Sequence, residues 1–166
     1  MNIFILSLDP KEAARFHCNK HVVKMAVESA QIMCSALTIN GISSDCYRPT
    51  HSHHPCVLWA AKSTGNFHWL YQLFIALCDE YSKRYGRIHK SYGVILNSDA
   101  IQSYLKKSIE PMTSFVQTMP DEWKQRDDVV LAYRCFYIAE KSRFAKWSPR
   151  ALPPAWWPFS EGSIVI

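Results

Sequence analysis

The amino-acid sequence predicts an all-α fold: one compact helical domain over residues 1–166, with an extended N-terminal segment and a Pro/Trp-rich C-terminal tail. Three observations predict it. Apolar residues recur at helical spacing, as in Val22, Val23, Ala26, Ala30, Met33 and Leu37, and again in Trp69, Leu70, Leu73, Phe74 and Leu77. Capping residues and glycines bracket those stripes. The 166 residues suit one core, and no repeat, low-complexity run or linker divides them.

Each element has its own signal. Met1–Leu8 is a short apolar run, a strand or an extended lead-in. Asp9-Pro10-Lys11-Glu12 then starts a helix: Asp9 caps, Pro10 fits the first position and Glu12 completes a capping box. Helix continues to about Leu37, with a break near Cys18-Asn19, and Asn40-Gly41 ends it. Residues 41–56 form a loop. A second helical region runs from about Pro55 to Tyr85, interrupted at Ser63-Thr-Gly-Asn66 and stopped by Gly86. Residues 98–107 predict a short helix, and Glu110-Pro111 to Trp123 a loop. Asp127 or Asp128 caps a further helix through about Lys141, with Val129, Val130, Tyr133, Phe136 and Tyr137 inward. The prolines from Trp147 to Phe159 exclude helix and sheet, so the tail's aromatics are expected to fold back onto the helices.

Composition narrows the class. With 48% hydrophobic and 20% charged residues the chain folds rather than staying disordered. A net charge of +5 permits an anionic partner without demanding one. Met1-Asn-Ile-Phe-Ile-Leu6 lacks the basic start of a signal peptide, so the six cysteines are expected as free thiols in the cytoplasm rather than as a disulfide framework. No apolar run is expected to span a bilayer.

The segment His17-Cys-Asn-Lys-His-Val-Val-Lys-Met-Ala-Val-Glu28 carries the chemistry. Lys20, Lys24 and Glu28 are four residues apart, so a helix stacks them on one face. Two cations followed by a carboxylate can grip a phosphate backbone and present an acid/base group beside it. The same spacing also describes a solvated face with an ordinary Lys–Glu pair. The cluster Thr50-His51-Ser-His53-His54-Pro-Cys56 is the metal candidate, with Cys18 and His21 as a second pair, but its spacing matches no standard zinc signature, and no metal is assigned. Cys18 beside His17 and His21 is a formal nucleophile; buried, inert cysteine is the commoner outcome. No Gly-rich phosphate loop and no Gly-x-Ser-x-Gly elbow are present. Basic residues cluster at Lys83-Arg84, Arg87 and Lys90, and at Lys141, Arg143, Lys146 and Arg150, interleaved with Tyr85, Phe144 and Trp147. That pattern suits a nucleic-acid surface and equally suits ordinary helix ends.

Several motifs occur in sequence: Lys20-His-Val-Val-Lys24-Met-Ala-Val-Glu28-Ser-Ala-Gln31, then His53-His54-Pro55, Trp59, Trp69-Leu70, Leu77-Cys78-Asp79-Glu80-Tyr81 and Arg84-Tyr85-Gly86. This order resembles the pyrimidine-dimer DNA glycosylase family of bacterial and phage proteins, the group that includes phage endonuclease V, over roughly residues 1–90. The resemblance implies an all-helical fold, a DNA substrate, no cofactor, and a DNA glycosylase with AP-lyase activity that works through an N-terminal amine and a Schiff base. Amines of this kind ionise at roughly pH 8, which leaves a useful neutral fraction. Asn2 is too large for the usual removal of Met1, so the implied nucleophile is the amine of Met1. Glu28 takes the place of the family's helix glutamate, stabilising positive charge at the sugar and assisting proton transfer. The stretch before Glu28 is a few residues longer than in endonuclease V, so Glu28 reaches the amine only if Met1–Leu8 folds back across the helix. Lys20, Lys24 and His54 are expected at phosphates near the lesion, with Arg84, Lys90 and Lys146 further out. Two other readings stay open: a non-catalytic nucleic-acid or nucleotide binder whose anion pocket is formed by the His17/Lys20/His21/Lys24 face with His51, His53 and His54, and a metal-dependent hydrolase or nuclease on the His51–Cys56 cluster with Cys18 or His21.

Overall fold

The structure, a computed structural model, describes residues 1–125, 127–147 and 150–158. Among these the helices are α1 (Pro10–Phe16), α2 (Asn19–Ile39), α3 (Pro55–Lys62), α4 (Thr64–Tyr85), α5 (Lys90–Leu96), α6 (Asp99–Leu105) and α7 (Val129–Lys141), with one 3-10 turn at Asp121–Trp123 and no strand. The all-α expectation holds.

The caps are where the sequence places them. The Asp9 carboxylate accepts from Glu12 N at 2.8 Å, and Glu12 turns back to accept from Ser7 Oγ at 2.7 Å. His17 and Cys18 leave helical geometry between α1 and α2. Ser63 caps α4 by accepting from Asn66 N, Asp128 caps α7 by accepting from Leu131 N, and Gly86 ends α4 at φ 66°. Gly65 is required by close approach: a Cβ there would collide with the Glu110 carbonyl oxygen. Glu110 in turn accepts from Thr64 N through Oε2, closing the loop after α6 onto the start of α4. The helix α5 lies where the sequence pattern predicts no element. Its seven residues include Gly93 and make a weak helical signal, but His89 caps it by accepting from Ser91 N and also donates from Nε2 to the Val23 carbonyl.

The long helices α2 and α4 pack side by side, with α1 against α4, α3 against both, and α5 and α6 closing one flank. Against expectation, α2 is long and apolar enough to cross a membrane by length and composition. Its apolar residues Val22, Met25, Ala26, Ala30, Ile32, Met33 and Leu37 are buried among neighbouring helices, which is where a central core helix gains that composition. A second correction concerns the cysteines. Cys34 on α2 and Cys46 in the following loop form a disulfide, while Cys18, Cys56, Cys78 and Cys135 are free. The loop is brought there by Ser35, whose Oγ donates to Thr50 O and accepts from Thr50 N.

The lead-in is an extended segment threaded through the core, not a strand of a sheet. Ile3, Phe4, Ile5 and Leu6 are all buried. Buried extended backbone needs partners; Arg134 Nε donates to Leu6 O at 3.0 Å and Trp69 Nε1 to Leu8 O at 2.8 Å. The tail folds back as expected: Trp157 is buried, and Trp156 meets Phe16 and Tyr137 edge-on. Ser148, Pro149 and Phe159 of that expectation lie outside the described residues.

Candidate active site

The buried lead-in returns the chain start to α2. Its hydrophobic residues hold Met1 and Asn2 over the face that carries Lys24 and Glu28. The Met1 amine nitrogen lies 3.9 Å from Glu28 Oε1, and Lys24 Nζ lies 3.2 Å from the same oxygen. The other carboxylate oxygen accepts from the backbone N–H of Asn2 at 3.0 Å. The Glu28 side chain is 12% exposed, so two positive groups and an N–H hold a carboxylate that is almost out of water. The backbone folds back across α2 as the longer N-terminal stretch requires.

Asn2 fixes this arrangement. Its Oδ1 accepts from Ile3 N, from Thr118 Oγ1 and from Tyr133 Oη, and its Nδ2 donates to Thr118 O at 3.2 Å. Thr118 lies in the loop before the 3-10 turn and Tyr133 on α7, so the second half of the chain anchors the amine. Asn2, Thr118 and Tyr133 are site residues that sequence reasoning missed. Contacts from sequence positions more than 100 residues apart leave no periodic signal; only the polar Asn2 inside an apolar run hinted at them.

His54 caps α3, with Nδ1 accepting from Cys56 N at 3.2 Å. Its pKa is held below the usual histidine value by burial, then by the positive N-terminus and His51, with Glu28 opposing. It therefore presents a neutral imidazole on the amine–glutamate side, and its free nitrogen, Nε2, carries the proton. The Cys56 thiol is pushed up by burial, with Thr118, Ile3 and the N-terminus opposing, so it is a protonated wall of the site rather than a nucleophile. Cys18 is fully buried. His51 Nδ1 pairs with Thr50 Oγ1 at 2.7 Å while His54 serves as a cap, and among the described residues no three His, Cys, Asp or Glu side chains converge on one point. The His51–Cys56 cluster thus lacks a ligand set.

The remaining expected cations divide. Lys20 is exposed on α2, its Nζ 4.9 Å from the Phe144 ring centre. Lys90 is exposed at the start of α5, and Lys146 is exposed where its carbonyl accepts from Asn19 N at 2.8 Å. Arg84 is a correction. Its side chain is 0% exposed, paired with Glu80 at 2.8 Å, and donates to the His17 and Arg15 carbonyls. A guanidinium spent on interior partners does not meet phosphate.

At the start of α2, His17 and His21 form a buried pair with Tyr137 and Phe4. Burial lowers His17 to about 4, with its Ala13 hydrogen bond opposing and Arg84 adding; burial, then His17, Lys141 and Lys24, lowers His21 to about 3. The unfolded chain protonates both near pH 6.5. From pH 6.5 down to about 4 it therefore binds the extra protons, and stability falls as pH falls, by up to about 1.4 kcal/mol per pH unit for each histidine; above pH 7 this contribution is flat. Urea unfolding midpoints at pH 7.5, 6 and 5 are expected to drop in that order. Equal midpoints at the three values would contradict the buried neutral pair.

An all-helical protein that closes its own N-terminal amine onto a buried glutamate, beside lysines on one helix face, is organised around an amine–carboxylate pair. The chain belongs to the pyrimidine dimer DNA glycosylase family, whose model matches residues 1–92. No curated protein and no solved structure matches it. A DNA-repair glycosylase function, with DNA as the substrate, goes with that membership. The matched region carries Met1, Lys20, Lys24, Glu28 and His54, while the anchors Thr118 and Tyr133 lie beyond it.

Proposed function

We propose that the protein is a DNA glycosylase with AP-lyase activity, acting on damaged or modified bases through the Met1 amine. The observation that carries this reading is the 3.9 Å approach of the Met1 nitrogen to Glu28 in a chain of this family. The target nucleotide or its partner leaves the stack, the amine attacks C1′ of the target, the C1′–base bond breaks and the base leaves with a proton. The C1′–O4′ bond then breaks, O4′ takes up a proton and the opened sugar carries an imine that acidifies C2′; loss of the C2′ proton and of the 3′ phosphate cleaves the strand. Water then hydrolyses the imine and returns the amine. Glu28 takes the proton from the attacking amine and faces the cation that develops at the sugar. Lys24, 3.2 Å from Glu28, and Lys20 one turn earlier hold flanking phosphates; His54 donates a neutral N–H, and Lys90 and Lys146 lie further out. The chemistry consumes only water and needs no cofactor. The reading treats residues 1–166 as one domain, because Asn2 is anchored by Thr118 and Tyr133, and puts the protein in the cytoplasm with its DNA.

Borohydride trapping tests it. A duplex with one abasic site is expected to give a covalent protein–DNA band whose linked residue is Met1. Residues added before Met1 are expected to abolish the band and leave DNA binding intact. Bound duplex with no band from the unextended protein would overturn the lyase reading and leave a DNA-binding protein on the same scaffold.

A further inference from the structure

A groove of about 570 Å³ runs beside the candidate active site, lined by Lys20, His21 and Lys24 of α2 and by Lys141, Arg143 and Phe144 from the end of α7. Four of the six lining residues are permanent cations and none is acidic. Lys24, which lines the groove, is also the ion-pair partner of Glu28 at 3.2 Å.

The second wall is a built feature. The chain turns tightly after α7, with Phe144 N and Ala145 N both donating to Lys141 O at 3.0 and 2.8 Å. Asn19 N donates to Lys146 O at 2.8 Å, which fastens that turn to the start of α2. Phe144 stands between two cations, 4.9 Å from Lys20 Nζ and 5.9 Å from Arg143 Cζ. The ring spaces cations that would otherwise repel, and Lys141 rests over Phe136 at 4.9 Å.

His21 forms the floor. Tyr137 Oη accepts from Cys18 N at 3.0 Å and shares a hydrogen bond with His21 Nδ1, 2.8 Å away. With the hydroxyl as donor in that pair, the His21 proton is on Nε2. With the imidazole neutral, the groove has an N–H donor that carries no charge of its own.

We propose that this groove seats the phosphodiester backbone of the DNA strand beside the reacting nucleotide, with Lys20, Lys24, Lys141 and Arg143 neutralising phosphates and His21 Nε2–H donating to a phosphate oxygen. The proposal rests on the reading of the chain as a DNA enzyme and adds to it that the chain beyond the matched family region supplies half of the DNA contact. It does not depend on the amine chemistry.

The test is the salt dependence of binding to an intact DNA duplex, measured by fluorescence anisotropy. The variant Lys141→Gln/Arg143→Gln is expected to lower the slope of log K against log salt by about 2, since each phosphate contact contributes about 0.9, and to weaken binding roughly tenfold at physiological salt. The charge-matched Lys62→Gln/Lys106→Gln pair, on exposed positions elsewhere, is expected to leave the slope unchanged. Equal slopes for wild type and the groove variant, or an equal drop in the control pair, would overturn the proposal. So would a slope change with duplex RNA but not with DNA. His21→Phe keeps a ring against Phe4 and removes the donor; it is expected to weaken binding severalfold with the slope unchanged, and full affinity would remove His21 from the site. Circular dichroism checks that each variant folds. A slope that falls as expected in a protein that gives no borohydride band would retain the groove and discard the lyase reading.

Discussion

Glu28→Gln is expected to abolish strand cleavage at an abasic site while leaving DNA affinity equal or slightly higher. The substitution is nearly isosteric. The amide oxygen can still accept from Asn2 N, now 3.0 Å from Oε2, so the chain start should stay in place. What disappears is the charge. A neutral amide neither takes a proton from the amine nor opposes a developing sugar cation, and losing such a group lowers rates by roughly 10²–10⁴-fold. Lys24 loses its partner at 3.2 Å and becomes freer to meet phosphate, which is why binding is not expected to fall. Single-turnover cleavage and anisotropy on the same duplex separate the two effects. Equal loss of both would make Glu28 a structural residue; unchanged cleavage would move the acid/base role elsewhere.

The sequence made the frame of this site legible because its information was local. A four-residue spacing puts Lys20, Lys24 and Glu28 on one face of α2 whatever the rest of the chain does. The caps Asp9, Ser63 and Asp128 and the stop at Gly86 are decided within a few residues of themselves. The amine's position beside Glu28 was conditional, since the buried run Ile3–Leu6 could lead in either direction until its partners Arg134 and Trp69 were known. The anchors Thr118 and Tyr133 and the pairing of Cys34 with Cys46 come from packing, to which spacing is blind. Short α5 escaped because Gly93 weakens it and tertiary bonds from His89 sustain it. Arg84 shows the opposite error. Among Lys83, Arg87 and Lys90 its charge reads as surface, yet a guanidinium has five donors and can turn inward where carbonyls lack partners.

That inward turn predicts a large stability effect. Arg84→Met is expected to destabilise the protein by about 3–5 kcal/mol, with a fall in Tm on the order of 10 °C. The guanidinium sits where α1 ends and α2 begins. It donates to the carbonyls of Arg15 and His17 at 3.0 and 2.7 Å, groups that the end of α1 leaves without helical partners. Its Nε and Nη2 also hold Glu80 Oε2 at 3.0 and 2.8 Å. Methionine fills much of the volume but satisfies none of these, so a buried carboxylate keeps only Lys83, 3.5 Å from its other oxygen. Arg84→Lys is expected to recover part of the loss, because one ammonium cannot span the two carbonyls and the carboxylate together. Glu80→Gln combined with Arg84→Met is expected to cost less than the sum of the single changes, because the double variant no longer strands a buried charge. Urea unfolding of the four proteins measures this. The salt slope of DNA binding is the companion readout: an interior Arg84 leaves it unchanged in folded Arg84→Met, whereas a slope lowered by about 1 would return Arg84 to the DNA surface.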